Sequence, residues 1–303
     1  MKRIAESLGS IRPASYEELR AVLASGSARL PKRLRDVAVF LWQHPGDVAL
    51  GTSTTISEQA GVLPSTLVRF AQHLGYSGFS DLQDLFKEHM KGGFATYARS
   101  VAVNPAEGRE GSDVTFVQGY ITAARESLAR AAADLDMASF EAVANIVAKA
   151  KIVYLVGSKR AYPVTTYMAI ALSKLGVRNV LVDNVGSSAF DQIGGGAEGD
   201  VVIAVNFSPY NSITAEIATA GVQAGMPVVA ITDSALSPLV RIASAWIEIV
   251  ENDFAGFRSP AATITVATAL VLAVARRREQ AAEATARKKL RHANGSALAK
   301  KDR

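Results

Sequence analysis

Apolar side chains in the first ninety positions recur at the spacing of short amphipathic helices. Residues 16–23 follow Ser15, which suits a helix N-cap. Pro31 starts a stronger helical pattern that stops at His44 and Pro45, because proline fits the first turn of a helix but not its interior. The apolar positions of this helix are Leu34, Val37, Ala38, Leu41 and Trp42. Further helices around residues 55–60, 64–74 and 80–90 complete a predicted all-α domain.

From residue 114 onward the pattern is different, with short β-branched runs that alternate with helical segments. Two helices are predicted first, over 114–134 and 137–150. The predicted strands are 151–156, 179–182, 200–205, 227–232 and 245–250, and the helices between and after them are 163–175, 212–224, 238–242 and 259–278. Strands that are apolar throughout and alternate with helices form a parallel sheet that is covered on both faces. This part of the chain is therefore predicted to be a three-layer α/β domain.

Local composition predicts where the domains end. Residues 91–113 contain several glycines, an Asn-Pro pair and no sustained apolar period, which favours a linker. The predicted plan is a helical domain over 1–90, this linker, an α/β domain over 114–279 and a basic tail over 280–303.

Positive charge is concentrated near the C-terminal end of the sequence. The net charge is +5, but the residues from Arg276 onward carry a local +7 and the preceding ones carry −2. The overall charge is therefore no argument that the body of the protein binds nucleic acid. We expect the tail to extend the last helix into solvent, which its Ala, Arg, Lys and Glu content favours, with a supplementary DNA contact as the alternative.

Composition also excludes several kinds of site. The chain has no cysteine, which excludes disulfides, thiolate metal sites and cysteine nucleophiles. It has four histidines, too few to make a three-histidine zinc site a reasonable expectation, and neither a metal nor a cofactor is predicted. No apolar run reaches the roughly 18 residues of a membrane span, and the first residues lack the apolar core of a signal peptide. We therefore expect a cytoplasmic protein that does not enter a membrane.

Residues 53–75 have the spacing of a helix-turn-helix, in which two short helices cross around a tight turn. With Gly61 at the turn, every offset that must be buried is apolar, and Ser57 is small where the helices pack closest. The apolar residues are Ile56, Ala60, Val62, Leu67 and Phe70. The polar side chains left outside the core suit contacts with phosphates and base edges, and they are Ser65, Thr66, Arg69, Gln72 and His73. A plain helical hairpin with a solvated polar face is the alternative.

Several strings surround this motif. They are Leu30-Pro31-Lys32, His44-Pro45-Gly46-Asp47, Thr55-Ile56-Ser57, Ala60-Gly61-Val62 and, most specifically, Val68-Arg69-Phe70 followed by Leu74-Gly75-Tyr76-Ser77-Gly78-Phe79. Over residues 15–90 the chain thereby resembles the N-terminal domain of the RpiR/MurR family of bacterial transcriptional regulators. The resemblance implies binding to double-stranded operator DNA, with Arg69 in the recognition helix and Lys32 and Arg33 near the DNA backbone. Because such proteins bind paired half-sites, a homodimer is expected, and a homotetramer is equally compatible.

Three polar loops follow predicted strands of the α/β domain, where helix N-termini present free N–H groups to ligands. The first holds Ser158, Lys159 and Arg160, the second Ser187 and Ser188, and the third Asn206, Ser208, Tyr210 and Asn211. Hydroxyls, amides and cations at one edge of a sheet indicate a pocket for a sugar or a phosphate. Ordinary helix capping by serine and asparagine is the alternative.

Four strings in this domain carry a second resemblance. They are Val153-Tyr154-Leu155-Val156-Gly157-Ser158, Gly199-Asp200-Val201, Thr232-Asp233-Ser234 with Leu236-Ser237-Pro238-Leu239, and Phe257-Arg258-Ser259-Pro260. They are similar to the SIS (sugar isomerase) domain that the same regulators carry. The resemblance implies a phosphosugar whose phosphate lies in a Ser-x-Ser-Gly-x-Thr loop. Asp233, which belongs to the third string, is expected to cap the turn after its strand.

The corresponding loop departs from that pattern. It reads Asn206-Phe207-Ser208-Pro209-Tyr210-Asn211, so only Ser208 is kept, and Pro209 lacks the N–H that glycine would donate. Either the effector is phosphorylated and held by Lys159 and Arg160, or it is a different polyol or a sugar acid.

Catalysis has weaker support in the sequence than sensing. Isomerisation of a sugar needs a base beside the reacting carbon, usually Glu or His. No histidine lies between His89 and His292, and the carboxylates near the loops are Asp183, Asp191, Glu198 and Glu216. We therefore expect a non-enzymatic transcriptional regulator of carbohydrate metabolism, whose affinity for its operator is controlled by a sugar, a sugar acid or a sugar phosphate. A phosphosugar isomerase, or another enzyme that processes sugar phosphates, is the alternative.

Overall fold

The computed structural model describes residues 12–26, 30–101, 113–254 and 256–299. The first two ranges contain α1 (Tyr16–Gly26), α2 (Lys32–Gln43), α3 (Pro45–Leu50), α4 (Ser53–Gln59), α5 (Pro64–His73) and α6 (Phe79–Val101). The predicted all-α N-terminal domain is confirmed. Helix α3 adds to the predicted helices, because Pro45 both ends α2 and stands in the first turn of a new helix.

Helix α6 extends further than the apolar pattern predicts. It continues to Val101, so residues 91–101, which we expected to be an irregular linker, are helical. Glycine weakens a helix by only about 1 kcal/mol per residue, so the pair at 92 and 93 does not end one that is already well packed. The rest of the predicted linker up to residue 112 lies outside the described residues, and the domain boundaries stay a prediction.

One apolar core holds the N-terminal helices together. Its fully buried side chains include Leu41, Ile56, Leu67, Phe70 and Phe86, which come from α2, α4, α5 and α6. Each buried side chain of this size stabilises the fold by about 1.5–3 kcal/mol. The two helices of the predicted helix-turn-helix are therefore fixed by the same core as the helices around them.

The α/β domain begins with two helices and continues as a parallel sheet. Its helices are α7 (Asp113–Asp134), α8 (Met137–Lys149), α9 (Tyr162–Lys174), α10 (Ala189–Gly194), α11 (Ser212–Gln223) and α12 (Ala261–Ala299). Its strands are β1 (Val153–Gly157), β2 (Asn179–Val182), β3 (Val201–Val205), β4 (Val228–Thr232) and β5 (Ala245–Glu248). They lie in the order β2-β1-β3-β4-β5, and every pairing is parallel.

Helices cover both faces of this sheet, which confirms the predicted three layers. Leu155 and Ile203 pack with α8, α9 and α12 on one face. Tyr154 and Val202, the neighbouring residues, pack with α10 and α11 on the other. Because successive side chains of a strand point to opposite faces, strands buried on both sides are apolar at every position. The carboxyl ends of β1, β3 and β4 are neighbours at one edge of the sheet.

A short ribbon and a long helix complete the described chain. A short antiparallel ribbon pairs β6 (Asp253–Phe254) with β7 (Phe257–Arg258). Helix α12 then runs well past the predicted end at residue 278 and is helical to Ala299. Residues 281–287 are exposed, so this part of the predicted basic tail is a helix extension into solvent, as expected.

Candidate functional site

The helix-turn-helix is formed by α4, a tight turn and α5. Gly61 has a φ of +63°, a conformation that glycine adopts without the steric cost of a Cβ. Its N–H donates to the Glu58 carbonyl at 3.1 Å, and the Val62 N–H donates to the Ser57 carbonyl at 2.9 Å. The prediction of Gly61 as the turn residue is therefore confirmed.

The contact between α4 and α5 is built as the spacing predicts. Ile56, Leu67 and Phe70 are fully buried, while Ala60 and Val62 are half-buried. Ser57 is also buried, and its hydroxyl donates to the Thr54 carbonyl at 2.8 Å, so this small polar residue lies in the core without an unsatisfied donor.

The outer face of α5 is polar and accessible. Ser65, Arg69 and Gln72 are exposed, and Thr66 and His73 are half-exposed. Arg69 forms no ion pair with any residue that the structure describes. Lys32 and Arg33 are exposed in the first turn of α2. All seven candidate DNA-binding residues are thus accessible to some degree, and their contacts with DNA stay a prediction.

Two of the three predicted effector loops meet at the carboxyl edge of the sheet. The guanidinium of Arg160, after β1, donates to the Ser208 carbonyl, after β3, at 2.7 Å. The Thr214 hydroxyl donates to the Ser158 hydroxyl at 3.2 Å. Lys159 is exposed, and its ammonium group forms no hydrogen bond or ion pair with a described residue.

Within the loop after β3, the two asparagines hold the loop closed. Asn206 is buried, donates to the Asn211 carbonyl at 2.9 Å and accepts from the Asn211 N–H at 3.1 Å. Asn211 caps α11 by accepting the Ile213 N–H at 3.1 Å. These bonds agree with the helix-capping alternative, and a further contact of either amide with an effector stays a prediction.

The loop after β2 stands apart from the other two. Ser188 donates its hydroxyl to the Val185 carbonyl at 2.7 Å, and Ser187 is exposed with a φ of +61°. Among the described residues, no hydrogen bond connects Ser187 or Ser188 to the loops after β1 and β3. The structure therefore joins two of the three loops directly.

Asp233 is the central residue of the joined loops, and its predicted capping function is wrong. Its carboxylate accepts the Ser208 N–H at 3.2 Å and the Tyr210 hydroxyl at 2.8 Å. It also pairs with Arg20 of α1 at 3.3 Å and with Arg258 of β7 at 3.6 Å. The turn after β4 is instead capped by serines, because Ser234 and Ser237 accept the N–H groups of Leu236 and Leu239.

Burial and charge shift the ionisation of the groups around Asp233. Burial, followed by repulsion from Arg258, lowers the pKa of Arg160 to about 10. Burial is also the main cause that lowers the pKa of Arg258, followed by the nearby Arg20. Burial raises the pKa of the Tyr210 phenol, and the Asp233 carboxylate raises it further. Tyr210 is therefore a neutral donor to Asp233 near neutral pH.

This site is in contact with the N-terminal helices. The Trp42 indole N–H donates to the Tyr210 hydroxyl at 2.7 Å, and the Gln43 amide donates to the Leu236 carbonyl at 2.7 Å. Leu236 is buried as part of the N-terminal apolar core, although it belongs to the α/β domain. The Arg20 guanidinium lies over the Trp42 ring, 4.3 Å from its centroid.

Arg20, Arg258 and Trp42 are site residues that no pattern in the sequence predicted. Arg258 lies in the SIS-like string at 257–260, which is the signal that could have found it. Trp42 was assigned to the core from its helical spacing, and Arg20 is an ordinary polar position of an amphipathic helix.

A separate recess of about 390 Å³ lies between β5, α7 and α8. Its polar lining comes mainly from Arg130, Asp134, Asp136 and Glu248. Burial raises the pKa of Glu248. The recess contains none of the predicted effector residues, so we base the site on the polar groups that converge at Asp233.

The carboxylates considered for catalysis are poorly placed as bases. Hydrogen bonds from Gln192 and from the Val185 N–H lower the pKa of Asp183, which makes it a weak base. Asp191, Glu198 and Glu216 are exposed. Among the described residues, no group of three or more His, Asp and Glu side chains is placed to hold a metal ion. No helix in the described part of the chain is both long and apolar enough to cross a membrane.

Comparison with protein families matches both parts of the chain. Residues 17–92 match the helix-turn-helix domain of the rpiR family, and residues 146–277 match the SIS domain.

Solved structures agree with this pairing of domains. The NanR protein of Vibrio vulnificus, complexed with ManNAc-6P, is 19% identical with a TM-score of 0.51, and the match covers 91% of this chain and 97% of that one. The sugar isomerase domain of an RpiR transcription factor from Sphaerobacter thermophilus is 26% identical with a TM-score of 0.51. That match covers 58% of this chain and 97% of the other. The fold of the α/β domain is thus that of an SIS domain.

Proposed function

We propose that the chain is a bacterial transcriptional regulator of the RpiR family, whose operator affinity is controlled by a sugar phosphate bound in the SIS domain. The observation that carries this proposal is the pairing of the two domains. The helical domain that carries the helix-turn-helix and its accessible Arg69 contacts the loop after β3 through Trp42 of α2. The target is carbohydrate metabolism, because the effector is a carbohydrate.

The chemistry of the site supports a phosphorylated effector over a neutral polyol. Arg160 and Arg258 lie beside Ser208, and guanidinium groups are strong partners for phosphate oxygens. The similar NanR structure contains ManNAc-6P, which is a sugar phosphate. Lys159, exposed at the rim, supplies a further cation for the same group.

The proposed protein is a sensor and not an enzyme. The sequence between His89 and His292 holds no histidine base, and hydrogen bonds make Asp183 a weak one. We propose a cytoplasmic homodimer or homotetramer, because regulators of this kind bind two half-sites of duplex DNA related by two-fold symmetry.

DNA binding is tested by selection of duplexes from a random pool by the full chain. A single enriched sequence is expected, and binding to it should weaken at higher salt as counterions are released. Failure to enrich any sequence would contradict the proposal.

Effector control is tested by titrating a panel of sugar phosphates, with the matching free sugars as controls, in the presence and absence of the selected DNA. Linkage requires reciprocity. If the effector weakens DNA binding by some factor, DNA must weaken binding of the effector by the same factor. Equal effector affinity in both states would reject the coupling. Turnover of a sugar phosphate that is lost in Glu216→Gln would support the isomerase alternative instead.

A further inference from the structure

Three arginines from two domains meet around one loop of the SIS domain. Arg160 and Arg258 donate to the Ser208 carbonyl at 2.7 and 2.9 Å. Arg20 comes from α1 of the helical domain and reaches the Asp233 carboxylate at 3.3 Å. We call Arg20, Arg160 and Arg258 the arginine cluster.

The arginine cluster carries more positive charge than its direct ion-pair partners neutralise. Among the described residues, Asp233 is the one carboxylate within ion-pairing distance of the cluster, and two of the arginines share it. Glu251 and Asp253 favour the charged arginines from farther away. Burial and mutual repulsion nevertheless lower the pKa of Arg160 and of Arg258. An added anion would therefore stabilise these groups.

Two members of the cluster are partly buried, whereas Arg160 is exposed, and each of the three is held by a contact within the structure. The side chains of Arg20 and Arg258 are 17% and 22% exposed. Arg20 lies over the Trp42 ring, and Arg160 lies over the Phe207 ring at 5.2 Å. Partial burial strengthens charge interactions, and arginines fixed in advance lose less conformational entropy when they bind.

The cluster also retains unused donors. A guanidinium carries five N–H donors. Arg160 and Arg258 each direct one terminal nitrogen to the Ser208 carbonyl, which leaves donors for a second acceptor. A phosphate monoester carries about −1.5 to −2 charges and three acceptor oxygens. That negative charge balances the net positive charge that remains when the Asp233 carboxylate is set against the three guanidiniums.

We propose that the arginine cluster binds the phosphate group of the effector, so that Arg20 of the DNA-binding domain is itself a ligand-binding residue. The inference rests on the proposed function, because it assigns the anionic group of the same effector. It also accounts for the altered loop, since guanidinium donors replace the N–H that is missing at Pro209.

The arrangement gives the effector direct contact with the DNA-binding domain. A phosphate on Arg20 competes with Asp233, which is the partner of Arg20 in the structure. Arg20 packs on Trp42 of α2, and α2 packs on α5, the proposed recognition helix. Binding of the anion therefore changes the contact that holds the two domains together.

The test is titration of the full chain with inorganic phosphate near neutral pH, at constant ionic strength set with chloride. Arg20→Gln should weaken phosphate binding by about 10- to 100-fold, the usual effect of losing a hydrogen bond to a charged group. Arg12→Gln is the matched control, because Arg12 is an exposed arginine of the same domain that pairs with Asp81. Arg12→Gln should bind phosphate as the parent protein does.

A second variant separates loss of a ligand from loosened docking. Gln43→Ala removes the hydrogen bond to the Leu236 carbonyl across the same domain contact but leaves the arginine cluster intact. If Gln43→Ala weakens phosphate binding as much as Arg20→Gln does, Arg20 acts through docking and the inference is wrong.

The remaining outcomes are equally decisive. If Arg20→Gln binds phosphate normally and Arg160→Gln does not, the anion site belongs to the SIS domain alone. If the parent protein does not bind phosphate, the cluster is not an anion site. None of these results depends on DNA, so they are separate from a failure of operator selection, which would reject the proposed function itself.

Discussion

Trp42 donates its indole N–H to the hydroxyl of Tyr210, 2.7 Å away, across the contact between the two domains. The Tyr210 hydroxyl in turn donates a hydrogen bond to Asp233 at 2.8 Å, so one phenol connects the core of the helical domain to the carboxylate at the centre of the proposed effector site. The two domains therefore share polar groups at the site.

Loss of the Tyr210 hydroxyl should destabilise the protein. Tyr210→Phe leaves the Trp42 N–H and one Asp233 oxygen without this partner, and an unsatisfied buried polar group costs about 1–3 kcal/mol. Tyr167→Phe is the matched control, because Tyr167 is 46% exposed. Chemical denaturation measures the free energy of unfolding, and equal values for the two variants would contradict the structural function of Tyr210.

The turn of the helix-turn-helix should depend on glycine. Gly61→Ala should cost about 1–2 kcal/mol, because its φ of +63° disfavours any residue with a Cβ. Space is not the reason, since an added Cβ would meet no atom within 4 Å. Gly46→Ala, in helix α3, has the same free space without the positive φ and should be neutral or slightly stabilising. Thermal unfolding of the two variants compares them directly, and a shared response would refute the backbone argument.

Arg69 should contribute to sequence-specific DNA affinity. Arg69→Ala should weaken binding to the selected operator by about 1–3 kcal/mol if its guanidinium contacts a base. Arg178→Ala removes an exposed arginine from the SIS domain and controls for net charge. Fluorescence anisotropy with operator and scrambled duplexes measures both variants. An unchanged preference for the operator in Arg69→Ala would remove Arg69 from the DNA contacts.

The basic extension of α12 should add salt-dependent, non-specific affinity. Deletion after Gln280 keeps the Arg278 hydrogen bond to the Ala150 carbonyl, so the SIS domain is preserved. Each lost phosphate contact should reduce the slope of log affinity against log salt by about 0.9. Site preference should be unchanged. An identical slope in the truncated and full chains would leave this segment as a helix extension without a DNA contact.

Alkaline pH should unfold the protein partly through Tyr76. Burial raises the pKa of this phenol from 10.0 to about 12, and its hydroxyl donates to the Pro13 carbonyl at 2.7 Å. Because the folded state favours the neutral phenol, the contribution is complete below pH 10 and is lost as the pH rises towards 12. In a plot of the free energy of unfolding against pH, Tyr76→Phe should make the fall at alkaline pH less steep. Tyr120→Phe, at a half-exposed phenol on α7, should leave it unchanged.

Much of the local structure follows from side-chain spacing. The offsets around Gly61 predict the helix-turn-helix because two crossing helices must bury fixed positions, and Ile56, Leu67 and Phe70 are buried as expected. The apolar strands predict a parallel sheet because both faces are covered. Helix ends were less predictable: Pro45 begins α3, and α6 and α12 run past their predicted ends, since glycines and polar side chains weaken a helix without ending it.

The sequence by itself determined the two domain types, the polar loops at the strand ends and the polar outer face of α5, because these depend on local periodicity and on residue chemistry. Only the tertiary structure decided which groups meet at the site. Arg20 and Asp233 are 213 positions apart, and Trp42 and Tyr210 are 168 apart. No local pattern marks such pairs. They form because the helical domain packs its core onto the carboxyl edge of the sheet, where partial burial makes each unpaired charge costly and each available partner valuable.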